Sequence, residues 1–434
     1  MPSIRPQARS LLVLALASSI PAADAAPDPA VAEHVFAEAR RLCEAEAGAL
    51  WGRSLCGPVM LVDPADAGVV ASHADAGGVL VRLGAVYTGT LPADAVMSNT
   101  AMEWSGTRWT QLLWPVPQDP NMLRTTLVHE LFHRIQPELG LDRGEAGNRH
   151  LDTFQGRYLL QLEWRALARA LMAEDPAQRR DHVASALAFR AERRRLFPEA
   201  AHGETALEIN EGLAEYTGVR AGLAFAEQRR AHGVYSLAAF MEAPGFVRSF
   251  AYASGPAYGL LLDEADPAWR GKLDADADLG RMLAAALRLD PDAATGLAAR
   301  ERRYDPDGEV LAAEQARERQ RQERLAGWRR SLLEGPVLVL PLQSTRFQMN
   351  PQTVAALDDV GTVYPELRLG DRWGELVVDG GAALVHADRK RAVVALPAGS
   401  DGLRGEGWTL SLKPGWKLVP GEREGDLTLA GPAP

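Results

Sequence analysis

The sequence predicts an α+β fold in three successive blocks: a small β-sheet, a mostly helical middle and a small all-β C-terminal domain. Three observations lead there. Between Val59 and Pro117, short apolar runs follow one another at strand length. From Pro120 to about Leu333 the apolar residues recur at helical spacing, and beyond Val337 short alternating runs return, broken by Gly-rich turns. The 434 residues suffice for two or three domains, and 47% hydrophobic content marks a globular chain. A net charge of −10 argues against nucleic acid or an anionic membrane as the main partner.

Residues 1–25 read as a secretory signal: Arg5 and Arg9, the apolar run Leu11 to Ala17, then the small-residue cleavage site Ala23-Asp24-Ala25. The mature protein is expected outside the cytoplasm, periplasmic or secreted. No later apolar run reaches the ~18 residues needed for a membrane span. A helix is expected from Val31 to Ala47, and its Cys43 is expected to pair with Cys56 in an oxidising compartment. The pair would staple that helix to a strand beginning near Val59.

Strands are expected at Val59 to Val62, Gly78 to Val81, Ala101 to Trp104 and, after a Ser105-Gly106 turn, Arg108 to Trp114. With the first helix they make up residues 26–118. Asp119-Pro120 then supplies a helix N-cap followed by a proline where no amide hydrogen is needed, and Pro137 closes the helix. Within it lies Thr126-Leu127-Val128-His129-Glu130-Leu131-Phe132-His133. Four residues apart, His129 and His133 project from one face toward a single point, the geometry of two zinc ligands. The carboxylate of Glu130 lies beside them, where it can take a proton from a water.

Two imidazoles and a water leave such a metal one protein ligand short. The metzincin pattern does not supply it, because Gln136 stands at its Gly position and Leu139 at its His position. Glu204, Glu208, Glu211 and Glu215 recur at spacings of four, three and four on a helix expected from Glu204 to Gly222, whose other faces are largely apolar. Buried carboxylates there need a cation. Glu163, 30 positions after His133, is the alternative ligand.

Asn210-Glu211-Gly212-Leu213-Ala214-Glu215-Tyr216 resembles the Asn-Glu-Gly-Phe-Ala-x-Tyr segment of aminopeptidase-N-like enzymes, which places the chain beside the gluzincin zinc peptidases. The resemblance implies a zincin-like catalytic domain holding one Zn²⁺ per chain by His129, His133 and Glu211. It also implies a role for Glu215, as in thermolysin-like enzymes, in fixing a histidine tautomer. Thr100-Ala101-Met102-Glu103 is similar to the Gly-Ala-Met-Glu-Asn motif of the same aminopeptidases, where Glu103 would anchor a substrate amine. Tyr252-x-x-Gly255, ahead of an apolar helix Ala257 to Leu262, resembles their Tyr-x-x-Gly, in which Tyr252 would donate to the oxyanion. The spacing of 78 positions from His133 to Glu211 is longer than in either family, and Arg134 stands where an uncharged residue is usual.

Further helices are expected at Asp152 to Ala173, Pro176 to Leu196, Leu237 to Met241 and Glu309 to Leu333, completing a helical catalytic part at 119–334. The arginine-rich runs Arg190 to Arg195 and Arg317 to Arg330 read as solvated helix faces. His150, His182, His202, His232 and His386 occur singly and read as structural or surface residues. Residues 335–434 read as the all-β domain, with strands at Val337 to Leu340, Trp373 to Val378, Ala383 to Ala387, Ala392 to Leu396, Trp408 to Leu412 and Leu427 to Ala430. Turns are expected at Asp379-Gly380-Gly381, Gly405-Glu406-Gly407 and Pro414-Gly415. The expected activity is that of an exported zinc-dependent peptidase with a peptide or protein substrate. The alternatives are an aminopeptidase restricted to free N-termini and a non-catalytic binding or scaffold protein.

Overall fold

The computed structural model describes residues 27–92, 95–141, 147–292, 294–350, 353–397 and 399–432, so the signal segment expected at 1–25 lies outside the described residues. The chain divides into two compact units. The first is Met1–Gly144 with Ile209–His232 and Asp266–Ala277; the second is Glu145–Glu208 with Gly233–Ala265 and Asp278–Pro434. The helical stretch 119–334 thus contributes to both, and the C-terminal strands belong with helices of the second unit.

In the first unit, α1 (Pro29–Glu46) starts where the Asp28 side chain accepts from the Ala30 amide. A six-stranded sheet follows: β1 (Val59–Val62), β2 (Gly68–Ala71), β3 (Val81–Leu83), β4 (Val86–Thr90), β5 (Thr100–Trp104) and β6 (Thr107–Leu113), in the order β3-β4-β2-β1-β6-β5. Only β1 and β6 pair in parallel; the other neighbours are antiparallel. The strand expected at Gly78 to Val81 begins only at Val81, while β2 and β4 arise where none was expected. All four residues of β2 are buried, so it carries no alternation to betray it.

The helix α2 (Pro120–Ile135) matches its expected bounds, with the Asp119 side chain accepting from Met122 N at 2.8 Å. It packs against β5 and β6. Its Leu127, Val128, Leu131, Phe132 and Ile135 are buried. Cys43 and Cys56 are joined, their Cα atoms 5.1 Å apart. The loop they close is gripped by Arg134, whose Nη2 donates to Cys56 O at 2.6 Å. The charge after the second histidine thereby has a structural task.

In the second unit, α3 (Phe154–Met172) packs on α4 (Pro176–Leu196), and α5 (Ala200–Leu207) follows. After Glu208 the chain returns to the first unit, where a π-helical turn, Glu208–Gly212, leads into α6 (Leu213–Gly222). Next come α7 (Ala226–Met241), far longer than the Leu237 to Met241 expected, and α8 (Phe250–Ala265). Since α8 starts at Phe250 and contains Pro256, Tyr252 and Gly255 lie within a helix rather than ahead of one. After α9 (Leu279–Leu287) and α10 (Leu297–Tyr304), α11 (Glu309–Arg329) fulfils the expected mixed-charge helix. Among the described residues no helix is long and apolar enough to cross a membrane.

The arginine run at the end of α4 departs from expectation. Arg190 and Arg193 are buried, and each guanidinium is met by carboxylates. Arg190 Nε donates to Glu163 Oε1 at 2.9 Å and its Nη1 to Glu208 Oε2 at 3.0 Å; Arg193 bonds Glu163 and Glu204. Arg194 bonds Glu204 and Asp278. Charges interleaved at helical spacing suggest a wet face, but here the acids that neutralise them come from α3, from the α5 region and from Asp278.

Ten strands form the C-terminal sheet: β7 (Val337–Pro341), β8 (Arg346–Met349), β9 (Ala355–Leu357), β10 (Gly361–Asp371), β11 (Gly374–His386), β12 (Arg391–Ala395), β13 (Arg404–Gly405), β14 (Trp408–Leu412), β15 (Lys417–Pro420) and β16 (Leu427–Ala430). Leu338, Leu340, Leu369, Trp373, Leu376 and Trp408 share its core. The turn expected at Asp379-Gly380-Gly381 is instead the middle of β11, where the register against β10 shifts. Gly380 there has φ +70°, and a Cβ on Gly381 would press on the carbonyl oxygens of Glu406 and Gly407. The glycines make an irregularity within one strand and not a reversal.

Candidate metal centre

His129, Glu130, His133, Glu211 and Glu215 all lie in the first unit. α2 brings His129, Glu130 and His133 to one face, and one donor atom from each lies within 4.8 Å of the others. This group can hold a metal ion. The helix α6 packs on α2 because glycines face the contact. A Cβ at Gly218 would stand 2.6 Å from Thr125 O, and one at Gly222 would stand 3.0 Å from Arg124 O. Close approach of the two helix axes carries Glu211 and Glu215 to the histidines. Behind them, Trp51 packs on Phe132 and Tyr216 with ring centroids 5.0 and 6.5 Å away.

The hydrogen bonds around the rings fix their tautomers. His129 Nδ1 donates to Glu215 Oε2 at 2.8 Å, and His133 Nδ1 donates to Gln136 Oε1 at 2.8 Å. The Gln136 amide cannot be turned over, since its Nε2 donates to the carbonyls of Ile209 and Asn210 at 3.0 Å each. With Nδ1 protonated in both neutral rings, the two Nε2 lone pairs face each other across 3.1 Å. Glu211 Oε2 stands 3.5 Å from both. Three lone pairs converging in this way repel unless a metal ion or an added proton lies among them.

The spacing fits a tetrahedral ion: ligand atoms with bonds of about 2.0–2.1 Å stand ~3.3 Å apart. The observed edges of 3.1, 3.5 and 3.5 Å bracket that value. Glu130 stands farther off, with Oε1 at 3.9 Å from His129 Nε2 and Oε2 buried without a hydrogen-bond partner.

Electrostatics agrees with a place that draws positive charge. Burial works against a charged imidazole at His129, yet hydrogen bonds to Glu211 and Glu215 and the nearby charge of Glu130 outweigh it and push the group up to about 10. Burial would raise Glu211, but the same imidazoles hold its carboxyl well below the usual carboxylate range. Glu130 moves the other way: burial raises it against the pull of His129 and His133.

The remaining residues singled out from the sequence are placed as follows. Glu103 is exposed on the edge strand β5 and pairs across the ladder with Arg108 at 3.4 Å. Glu163 belongs to the second unit, where Arg190, Arg193 and Tyr258 occupy its two carboxylate oxygens. Tyr252 also belongs to the second unit, where its ring stacks on Phe240. The four-carboxylate stripe divides: Glu204 and Glu208 meet arginines, while Glu211 and Glu215 meet histidines. Sequence reasoning passed over Gln136 except as a metzincin mismatch. No protein-family model, curated protein or solved structure matches this chain.

Proposed function

We propose that the protein is an exported zinc-dependent peptidase in which His129, His133 and Glu211 hold one Zn²⁺ and Glu130 is the general base. The observation that carries this reading is the division of labour between two carboxylates. Glu211 Oε2 stands equally far from both Nε2 atoms, whereas Glu130 has an oxygen that is buried and makes no hydrogen bond. Zinc in this setting supplies Lewis acidity toward a water and a substrate carbonyl. Glu130 takes the proton of the attacking water and returns it to the departing amine, and its raised pKa suits it to both transfers.

Glu215 and Gln136 keep each imidazole presenting Nε2. Pairing of Glu103 with Arg108 favours cleavage within chains over capture of a free amino terminus. The decisive experiment is cleavage of a quenched-fluorescent peptide library, free and N-acetylated, by zinc-loaded wild type and Glu130→Gln. Turnover should fall at least ~10²-fold in the variant while zinc stays bound. Full activity in zinc-replete Glu130→Gln would overturn the mechanism.

A further inference from the structure

The amide of Gln136 is buried, and its oxygen and both of its hydrogens are engaged. Its oxygen accepts from His133, and its two hydrogens go to the carbonyls of Ile209 and Asn210. Those carbonyls belong to the π-helical turn that immediately precedes and includes Glu211. In an uninterrupted α-helix they would accept from the amides four residues on; a π-helical turn redirects those bonds, and each oxygen has a second lone pair to offer. Asn210 continues the path, because its Nδ2 donates to Glu211 Oε1 at 3.1 Å. A closed circuit results: His133 to Gln136, Gln136 to Asn210, Asn210 to Glu211, and Glu211 Oε2 back toward His133 Nε2.

We infer that Gln136 is a positioning residue for two metal ligands at once, setting the ring of His133 through its oxygen and the carboxylate of Glu211 through its nitrogen. The inference rests on the metal-site reading above. Its distinctive content is the nitrogen half, which a residue serving only the histidine would not need. Gln136→Glu isolates that half: the carboxylate still accepts from His133 Nδ1 but cannot donate to two carbonyls, against which it places a negative charge. Gln136→Met removes both halves at similar length.

Zinc affinity of the full-length protein is measured by competition with a fluorescent chelator, together with the visible absorption of the Co²⁺-substituted form. Both variants should bind zinc about 10–100-fold more weakly than wild type, with an altered Co²⁺ spectrum in Gln136→Glu. Wild-type affinity and spectrum in Gln136→Glu beside weakened binding in Gln136→Met would confine Gln136 to His133 and overturn the inference, as would wild-type behaviour of both. If wild type itself bound neither metal, the metal-site reading would fail instead. Should Gln136→Glu not fold, the side-chain amide hydrogens of Gln136 in ¹⁵N-labelled wild type decide. Slow exchange with and without zinc supports the circuit, and exchange at the solvent rate overturns it.

Discussion

Gly218→Ala tests whether close helix approach assembles the metal centre. Gly218 lies on α6 three residues after Glu215 and seven after Glu211, so all three share the face turned to α2. A methyl group there would meet Thr125 O at 2.6 Å and His129 Cβ at 3.5 Å. An ordinary carbon to carbonyl-oxygen contact is about 3.3 Å, so the helices must separate by roughly 0.7 Å. Metal sites tolerate about 0.2 Å in ligand distance, so Glu211 can no longer close the site without strain elsewhere. We expect a loss of about 1–3 kcal/mol in stability from overpacking and zinc affinity lower by about 10–100-fold. The control is Gly327→Ala on α11, where a Cβ meets nothing within 4 Å. That change should stabilise by up to about 1 kcal/mol through helix propensity. Urea unfolding of the chelator-treated protein and zinc competition give the two readings. A Gly218→Ala protein as stable as Gly327→Ala, with wild-type zinc affinity, would refute the reasoning.

Elemental analysis should find zinc lost in Glu211→Ala and retained in Glu163→Ala. The latter should cost about 3 kcal/mol in urea unfolding, since two buried arginines each lose one of their carboxylate partners; zinc loss confined to Glu163→Ala would exchange the two roles. Replacing Cys43 and Cys56 by serine should cost roughly 3 kcal/mol, and an unchanged denaturation midpoint would show that the crosslink does not stabilise the fold. Asp278 is raised by burial but held down to about 2 by Arg194 and Arg190, below its ordinary 3.8. Its contribution is therefore complete above about pH 4 and disappears as pH falls through about 2. Asp278→Asn should flatten that part of the stability curve, and an unaltered acid limb would contradict the assignment.

α2 can be read from the sequence because each of its signals has one local cause: Asp119 caps, Pro120 starts, and the histidines repeat at one turn. The parts that escape reading depend on distant partners. β10 contains Pro365 and pairs with β11 through a register shift, so neither its period nor its composition announces a strand. Arg190 and Arg193 look like surface residues until acids from elsewhere in the chain surround them. The role of Gln136 is invisible along the chain, because the carbonyls it binds lie 73 and 74 positions away. Glu211 is singled out by resemblance, but it lies in a backbone irregularity, the π-helical turn Glu208–Gly212, that no residue type marks.

That irregularity, the π-helical turn, makes the segment sensitive to count more than to spelling. Each residue of a helix advances the chain by about 100° around the axis. Removing Gly212, which carries no side chain, would swing Glu211 about a quarter-turn against Glu215. Glu211 and Glu215 could not then both keep facing the histidines. Exchange of Ile209 for another apolar residue leaves the phase intact. Descent with substitutions is open to this stretch, whereas descent with a single-residue deletion is closed.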